Sequence, residues 1–137
     1  MDIRILDDRL NAAPQIALSE VAEAASRGYR AVISNRPDGE EPGQPTAEQM
    51  RQAAEAAGLA FRHIPVRPGA LSEVEVDAMR AALGELPGPV LGFCRTGTRT
   101  TYLWALAVAG TRPADEIIAA ASAAGYDLTP LRSQLGV

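Results

Sequence analysis

The feature that most limits what this chain can become is a short apolar run, Val90-Leu91-Gly92-Phe93. Pro87-Gly88-Pro89 walls it off on one side and the loop Cys94-Arg95-Thr96-Gly97-Thr98-Arg99 on the other. A run this short cannot be a useful helix, and its continuous apolar character is that of a strand buried on both faces of a parallel sheet. Parallel neighbours cannot be joined by a tight hairpin. The remaining strands must therefore be separated by helical crossovers.

The rest of the chain supplies that alternation. Residues 3–6 and 10–12 read as short strands. Ser19 is a candidate N-cap for a helix over 20–27, which Gly28 stops. Residues 29–34 read as a strand, and 35–45 form a loop rich in Pro, Gly and acid. Thr46 and Gln49 make a capping box for a helix reaching Ala57, ended by Gly58. A strand follows over 59–66. Ser72 and Glu75 form a second capping box, and Val76, Met79, Leu83 and Leu86 then share one helical face. Helices are expected over 100–109 and 115–124, with a further turn or two in 128–135. Tyr102 and Trp104 fall on the inner face of the first of these. The pattern predicts one α/β domain over residues 1–137, with a central, mainly parallel sheet flanked by helices.

Bulk properties narrow the function. The 137 residues carry a net charge of −4, the wrong sign for a general nucleic-acid binder. The N-terminus has no apolar run of the signal-peptide kind, and no window is long enough to span a bilayer, so a cytoplasmic protein without a membrane partner is expected. The one cysteine, Cys94, excludes an internal disulfide and a Cys-rich zinc site. Without clustered Cys, His and carboxylates, no metal or other cofactor is expected.

Cys94 falls at the carboxyl end of the buried strand and just ahead of a helix, where open α/β sheets bind ligands. Backbone N–H groups of a loop entering a helix N-terminus make an anion nest, and Gly97 permits the tight curl. From Val90 to Ala114 the chain carries Arg95, Arg99 and Arg112 and no acid, a local positive island. These surroundings favour the thiolate, which is the nucleophilic form. A free cysteine can also be a small core hydrophobe, but the Arg-x-x-x-Arg frame around a glycine points to chemistry. Cys94 and Arg99 are therefore the candidate catalytic pair. Arg95, Thr96, Gly97, Thr98 and Thr100 are candidates for holding an oxyanion, although the threonines equally suit helix capping. Arg36 follows a strand at the same sheet end and could extend that site, with Asp38 orienting it or Arg99. Asp38-Gly39 is also an ordinary turn corner. His63 is either a structural group or a proton-transfer residue.

Four segments carry a family resemblance: Asn11-Ala12-Ala13-Pro14-Gln15-Ile16, Ile33-Ser34-Asn35-Arg36-Pro37-Asp38-Gly39-Glu40, His63-Ile64-Pro65-Val66 and Cys94-Arg95-Thr96-Gly97-Thr98-Arg99-Thr100. Together they resemble the DUF442 family, the phosphatase-like domain of beta-lactamase-hydrolase-like proteins. The resemblance covers nearly the whole chain and implies a protein-tyrosine-phosphatase-like fold. Some relatives fuse this domain to a metallo-β-lactamase-type persulfide dioxygenase, which makes such an enzyme an expected pathway partner. The family's members are described as phosphatases and as sulfurtransferases.

Both chemistries suit a thiolate in an anion nest. Three departures from the tyrosine-phosphatase pattern favour sulfur transfer. Four residues separate Cys94 from Arg99, one fewer than in tyrosine phosphatases and matching the loop length of rhodaneses. The stretch Arg67-Pro68-Gly69 after the Ile-Pro-Val segment lacks the aspartic acid that such phosphatases use as proton donor; Asp38, His63 or Glu73 would have to substitute. Phe93 stands where a histidine normally precedes the cysteine. The expected function is thus a rhodanese-like sulfurtransferase carrying sulfane sulfur as a Cys94 persulfide from a donor to a small thiol. The alternatives are a phosphoester hydrolase working through a Cys94 thiophosphate and a non-catalytic binder of oxyanions or partners.

Overall fold

A computed structural model describes residues 1–136. In chain order the elements are β1 (Arg4–Ile5), β2 (Leu10–Ala13), α1 (Leu18–Ser26), β3 (Ala31–Ser34), α2 (Ala47–Ala56), β4 (Ala60–His63), α3 (Glu73–Glu85), β5 (Val90–Phe93), α4 (Thr98–Val108), α5 (Ala114–Ala123), a 3₁₀ turn (Thr129–Leu131) and α6 (Arg132–Leu135). The five strands form one sheet in the order β1-β2-β5-β3-β4. Only the β1–β2 pair is antiparallel. β5 lies between β2 and β3 and is parallel to both, with Leu91 opposite Asn11 on one side and Val32 on the other.

Alternation along the central strands divides the interior in two. Ala31, Ile33 and Val90 face the layer built from α3, α4 and α5, where Met79, Leu103, Trp104 and Ile117 are fully buried. Val32, Leu91 and Phe93 face α1 and α2 and meet Val21, Ala24, Met50 and Ala54. This two-sided burial is why β5 carries no polar side chain. Gly92 has a packing reason of its own: a Cβ there would stand 2.8 Å from Thr100 Cγ2 of α4 and 3.2 Å from Leu10 Cδ1. The missing side chain lets α4 lie directly on the strand that carries the cysteine.

Several local expectations need correction. Helix α1 begins after Ala17, not Ser19. An alanine has no capping oxygen, so only the reciprocal half of the cap forms, the Ala17 amide donating to Glu20 Oε1 at 2.8 Å. The Thr46–Gln49 box forms in both directions. At Ser72 the hydroxyl bonds the Glu75 carboxylate and caps no backbone amide. Strand β4 stops at His63. Beyond it the Ile64 and Val66 amides still donate to the Ser34 and Asn35 carbonyls, so the chain stays extended without completing a ladder. Helix α4 starts at Thr98, two residues earlier than expected, and this puts Arg99 inside its first turn.

Arg112 belongs to the fold and not to the positive island around Cys94. It donates to Asp7 Oδ2 at 2.7 Å and lies 5.8 Å from the Trp104 ring centroid. The same carboxylate accepts from Trp104 Nε1 and from the Arg9 and Leu10 amides. Burial pushes the Asp7 carboxyl up, but the bonds from Trp104, the two amides and Arg112 outweigh it and hold the group below its ordinary value. No helix among the described residues is long and apolar enough to cross a membrane.

Replacing Gly92 by Ala should cost about 1–3 kcal/mol through overpacking between β5 and α4. Urea unfolding followed by the fluorescence of Trp104, the single tryptophan, measures it. A native midpoint would mean that α4 does not rest on the strand.

Candidate active site

All four parallel strands deliver their carboxyl ends to one edge of the sheet, and the candidate residues gather there. Phe93 ends β5 and hands the chain to Cys94, which is fully buried. The loop then closes within three residues: the Gly97 amide donates to Cys94 Sγ at 3.1 Å. Gly97 has φ +92°, in the left-handed region open to glycine, and serves as N-cap of α4. The sulfur therefore sits at the positive end of an eleven-residue helix, with a backbone N–H already aimed at it.

Asn35, fully buried, joins three segments at this edge. Its amide donates to the Phe93 carbonyl at 2.8 Å, its Nδ2 donates to the Ile64 carbonyl at 3.0 Å, and its Oδ1 accepts from the Thr100 hydroxyl at 2.8 Å. Thr100, proposed above as an oxyanion ligand, is thus committed to holding α4 against β3, and its hydroxyl does not face the Cys94 loop. Thr96 and Thr98 bond one another, Oγ1 to Oγ1 at 2.9 Å, on the outer rim.

The loop over 35–45 folds back on the arginines. Glu40 grips Arg99 in a two-point fork, with Nη1 donating to Oε2 at 2.7 Å and Nη2 to Oε1 at 2.9 Å. Arg99 Nη1 also donates to the Val66 carbonyl at 2.7 Å. Glu40 Oε1 further accepts from Arg36 Nε at 2.9 Å. Arg36, only 3% exposed, continues the chain of charges by donating from Nη2 to Glu41 Oε1 at 2.6 Å and from Nη1 to Gln15 Oε1 at 3.0 Å. Arg95 closes the series, with Nε 3.0 Å from Glu41 Oε1. The result is one ladder, Arg95–Glu41–Arg36–Glu40–Arg99, in which arginines outnumber carboxylates. Hydrogen bonding from Arg99, and then from Arg36, holds the Glu40 carboxyl below its ordinary value against the opposing effect of burial, so it stays ionised and offers no proton. With the outer edge of the Arg99 guanidinium fixed this way, its Nε–H and one Nη2–H remain to serve an anion beside the sulfur.

The structure brings Cys94, Arg95, Thr96, Gly97, Arg99 and Arg36 into one site. Two other candidates lie at its margin. Asp38 accepts from the Ala47 amide at 2.8 Å, so it caps α2 and orients neither arginine. His63 donates from Nε2 to the Arg36 carbonyl at 2.9 Å, supporting the backbone of the ladder. Glu73 opens α3 and is exposed on a different surface, beside Leu71 and Gln134. Glu40, Glu41 and Gln15 are the residues that sequence reasoning missed. Counting charge along 90–114 cannot register acids that arrive from another strand's loop, although the acid-rich composition of 35–45 was a usable signal. A cleft of about 390 Å³ opens beside the loop, lined by Gln15, Arg36, Glu41, Gln44, Arg95 and Thr96 among others. Among the described residues no three Cys, His, Asp or Glu side chains group as a metal site would need.

A mainly parallel sheet with a cysteine loop entering a helix, and an arginine in that helix's first turn within reach of the sulfur's charge, defines the class of tyrosine-phosphatase-like α/β folds. The chain belongs to the family of the phosphatase-like domain of beta-lactamase hydrolase-like proteins, whose sequence profile matches residues 2–111. It is 38% identical over 130 residues to the beta-lactamase hydrolase-like protein of Xylella fastidiosa strain Temecula1, covering 93% of this chain and 30% of that protein. It is 37% identical over 101 residues to that of Agrobacterium fabrum, covering 74% of this chain and 23% of the relative. The chain thus spans under a third of the length of these curated relatives. Among solved structures it is similar to a candidate phosphatase from Neisseria meningitidis Z2491, with a TM-score of 0.86, 39% identity, and 99% of this chain and 97% of that one covered. A DUF442 candidate phosphatase from Shewanella putrefaciens CN-32 shares the fold, at a TM-score of 0.72 and 19% identity, covering 99% and 94% of the two chains.

Replacing Glu40 by Ala should cost on the order of 3 kcal/mol at neutral pH, because Arg99 and the buried Arg36 lose a shared counter-ion. The depressed carboxyl stabilises the fold above its unfolded pKa of about 4.3, and that stabilisation disappears as pH falls through the lower folded value. Paired urea titrations should therefore show the gap between native and variant proteins closing in acid. A constant gap would assign the loss to packing.

Proposed function

We propose that this chain is a Cys94-dependent phosphoester hydrolase of the phosphatase-like type. The observation that carries the proposal is the convergence of two donors on one sulfur: the Gly97 N–H donates to Cys94, and the Arg99 guanidinium, held by Glu40, lies within reach of the Cys94 charge with its Nε–H and one Nη2–H left for an anion. Family membership and similarity to a candidate phosphatase at 39% identity support this reading over the sulfur transfer favoured by the loop length.

In the reaction so read, the Cys94 thiolate attacks phosphorus, the bond from phosphorus to the ester oxygen breaks, and its electron pair leaves with that oxygen. The loop amides and Arg99 stabilise the non-bridging oxygens, which carry the charge of the transition state. Water then attacks the thiophosphate, releasing inorganic phosphate and restoring the thiolate. Proton donation to the leaving oxygen is the weak part of the arrangement. Residues 67–70 supply no acid, Asp38 caps a helix, Glu40 stays ionised, and His63 spends Nε2 on a carbonyl. Leaving groups that need no proton should react best. That same deficiency keeps sulfur transfer as a second reading, because sulfite also leaves thiosulfate without a proton.

Hydrolysis of p-nitrophenyl phosphate should vanish in Cys94→Ser and fall about 10²–10³-fold in kcat in Arg99→Ala. Across a series of aryl phosphates the rate should drop steeply as the leaving phenol becomes more basic. Mass spectrometry after incubation with thiosulfate decides the second reading. A Cys94-dependent gain of one sulfur, released by glutathione, in a protein without phosphatase turnover would overturn the proposal in favour of sulfur transfer.

A further inference from the structure

The Thr96–Gly97 peptide is held from both sides. On the inner side its N–H, belonging to Gly97, donates to Cys94 Sγ at 3.1 Å. On the outer side its C=O, belonging to Thr96, accepts from the Tyr126 hydroxyl at 3.1 Å. A trans peptide is planar with its C=O and N–H pointing in opposite directions, so fixing one end fixes the other. A half-turn of this plane would aim a carbonyl oxygen at the thiolate and destroy the anion nest. Gly97 lacks the Cβ that normally limits such rotation, and the loop needs an outside restraint.

Tyr126 is placed to be that restraint. It comes from the segment after α5, fifteen residues beyond the stretch that the family profile matches. Its ring packs so closely on Gly97 that any Cβ there would collide with the phenol oxygen. The segment is itself anchored, since Arg4 Nη1 of β1 donates to the Ala124 carbonyl at 2.8 Å and Asp2 holds the same guanidinium. Burial raises the phenol's pKa above its ordinary value, Arg4 opposes this, and the charges of Cys94 and Asp2 add to it, so the hydroxyl remains a donor.

We propose that Tyr126 is a positioning residue that latches the Thr96–Gly97 peptide with its N–H toward Cys94, making the segment after α5 part of the working site. Because the two hydrogen bonds share one peptide, donation to the carbonyl also polarises the N–H and strengthens its bond to the sulfur. The inference rests on the Cys94 loop being an anion cradle, whichever group is transferred.

Tyr126→Phe keeps the ring and removes only the hydroxyl. Amide hydrogen exchange read by NMR should show the Gly97 amide exchanging about 3–10-fold faster, the scale of one lost hydrogen bond, while core amides such as Leu91 and Leu103 stay unchanged. The dissociation constant for inorganic phosphate should rise by a similar factor. Arg4→Ala, which frees the Ala124 carbonyl and leaves the phenol in place as a protonated donor, should produce a smaller change confined to the same amide, and it maintains the test if Tyr126→Phe folds poorly. Native exchange at Gly97 in both variants, or faster exchange spread evenly over the core, would overturn the latch. Neither measurement needs turnover. A wild-type protein inert toward aryl phosphates would sink the hydrolase reading and leave this test standing.

Discussion

Two parallel partners hold β5 in the middle of the sheet, and the site depends on that pairing. A strand flanked by parallel neighbours releases its chain at the same edge as they do. Gln15 after β2, the 35–45 loop after β3, Val66 after β4 and Cys94 after β5 therefore meet without any long excursion. Gly92 brings α4 down on this strand, so the helix N-terminus and Arg99 arrive at the sulfur together. The gathering of these residues is a consequence of strand order first and of side-chain identity second.

Much of the architecture was legible in the residues. The buried β5 run, the Thr46–Gln49 box and the α3 face are local patterns, and local patterns are what sequence periodicity records. Cys94, Gly97 and Arg99 were equally legible, because one loop holds all three and their spacing carries the meaning. The ladder was not. Glu40 meets Arg99 across 59 positions, and nothing at either site announces the other. Thr100 shows the converse limit. Its place in the loop motif suggests an anion ligand, whereas its burial against Asn35 makes it a structural tie.

The same contrast applies to the arginines. Arg95, Arg99 and Arg112 look alike along the chain, but each has a different task in space. Arg99 is gripped beside the sulfur, Arg95 stands 64% exposed at the cleft, and Arg112 supports Asp7 and Trp104 on another part of the fold. A positive stretch of sequence is thus not yet an anion site. It becomes one when the fold sorts which charges point inward and which are already satisfied.

The two glutamates have a further effect on how such a site responds to its surroundings. A nest lined by bare arginines would collect mobile ions from the solvent and give them up when a substrate enters. Here Glu40 and Glu41 are built-in counter-ions, fixed by covalent connection; the Glu40 side chain is only 19% exposed, whereas that of Glu41 is 48% exposed. Salt screens exposed charges within about 10 Å at moderate ionic strength but reaches half-buried pairs far less. The inner Arg36–Glu40–Arg99 part of the ladder should therefore keep its pairing almost equally well in dilute and in concentrated electrolyte, while the outer Arg95–Glu41 contact loosens as salt rises.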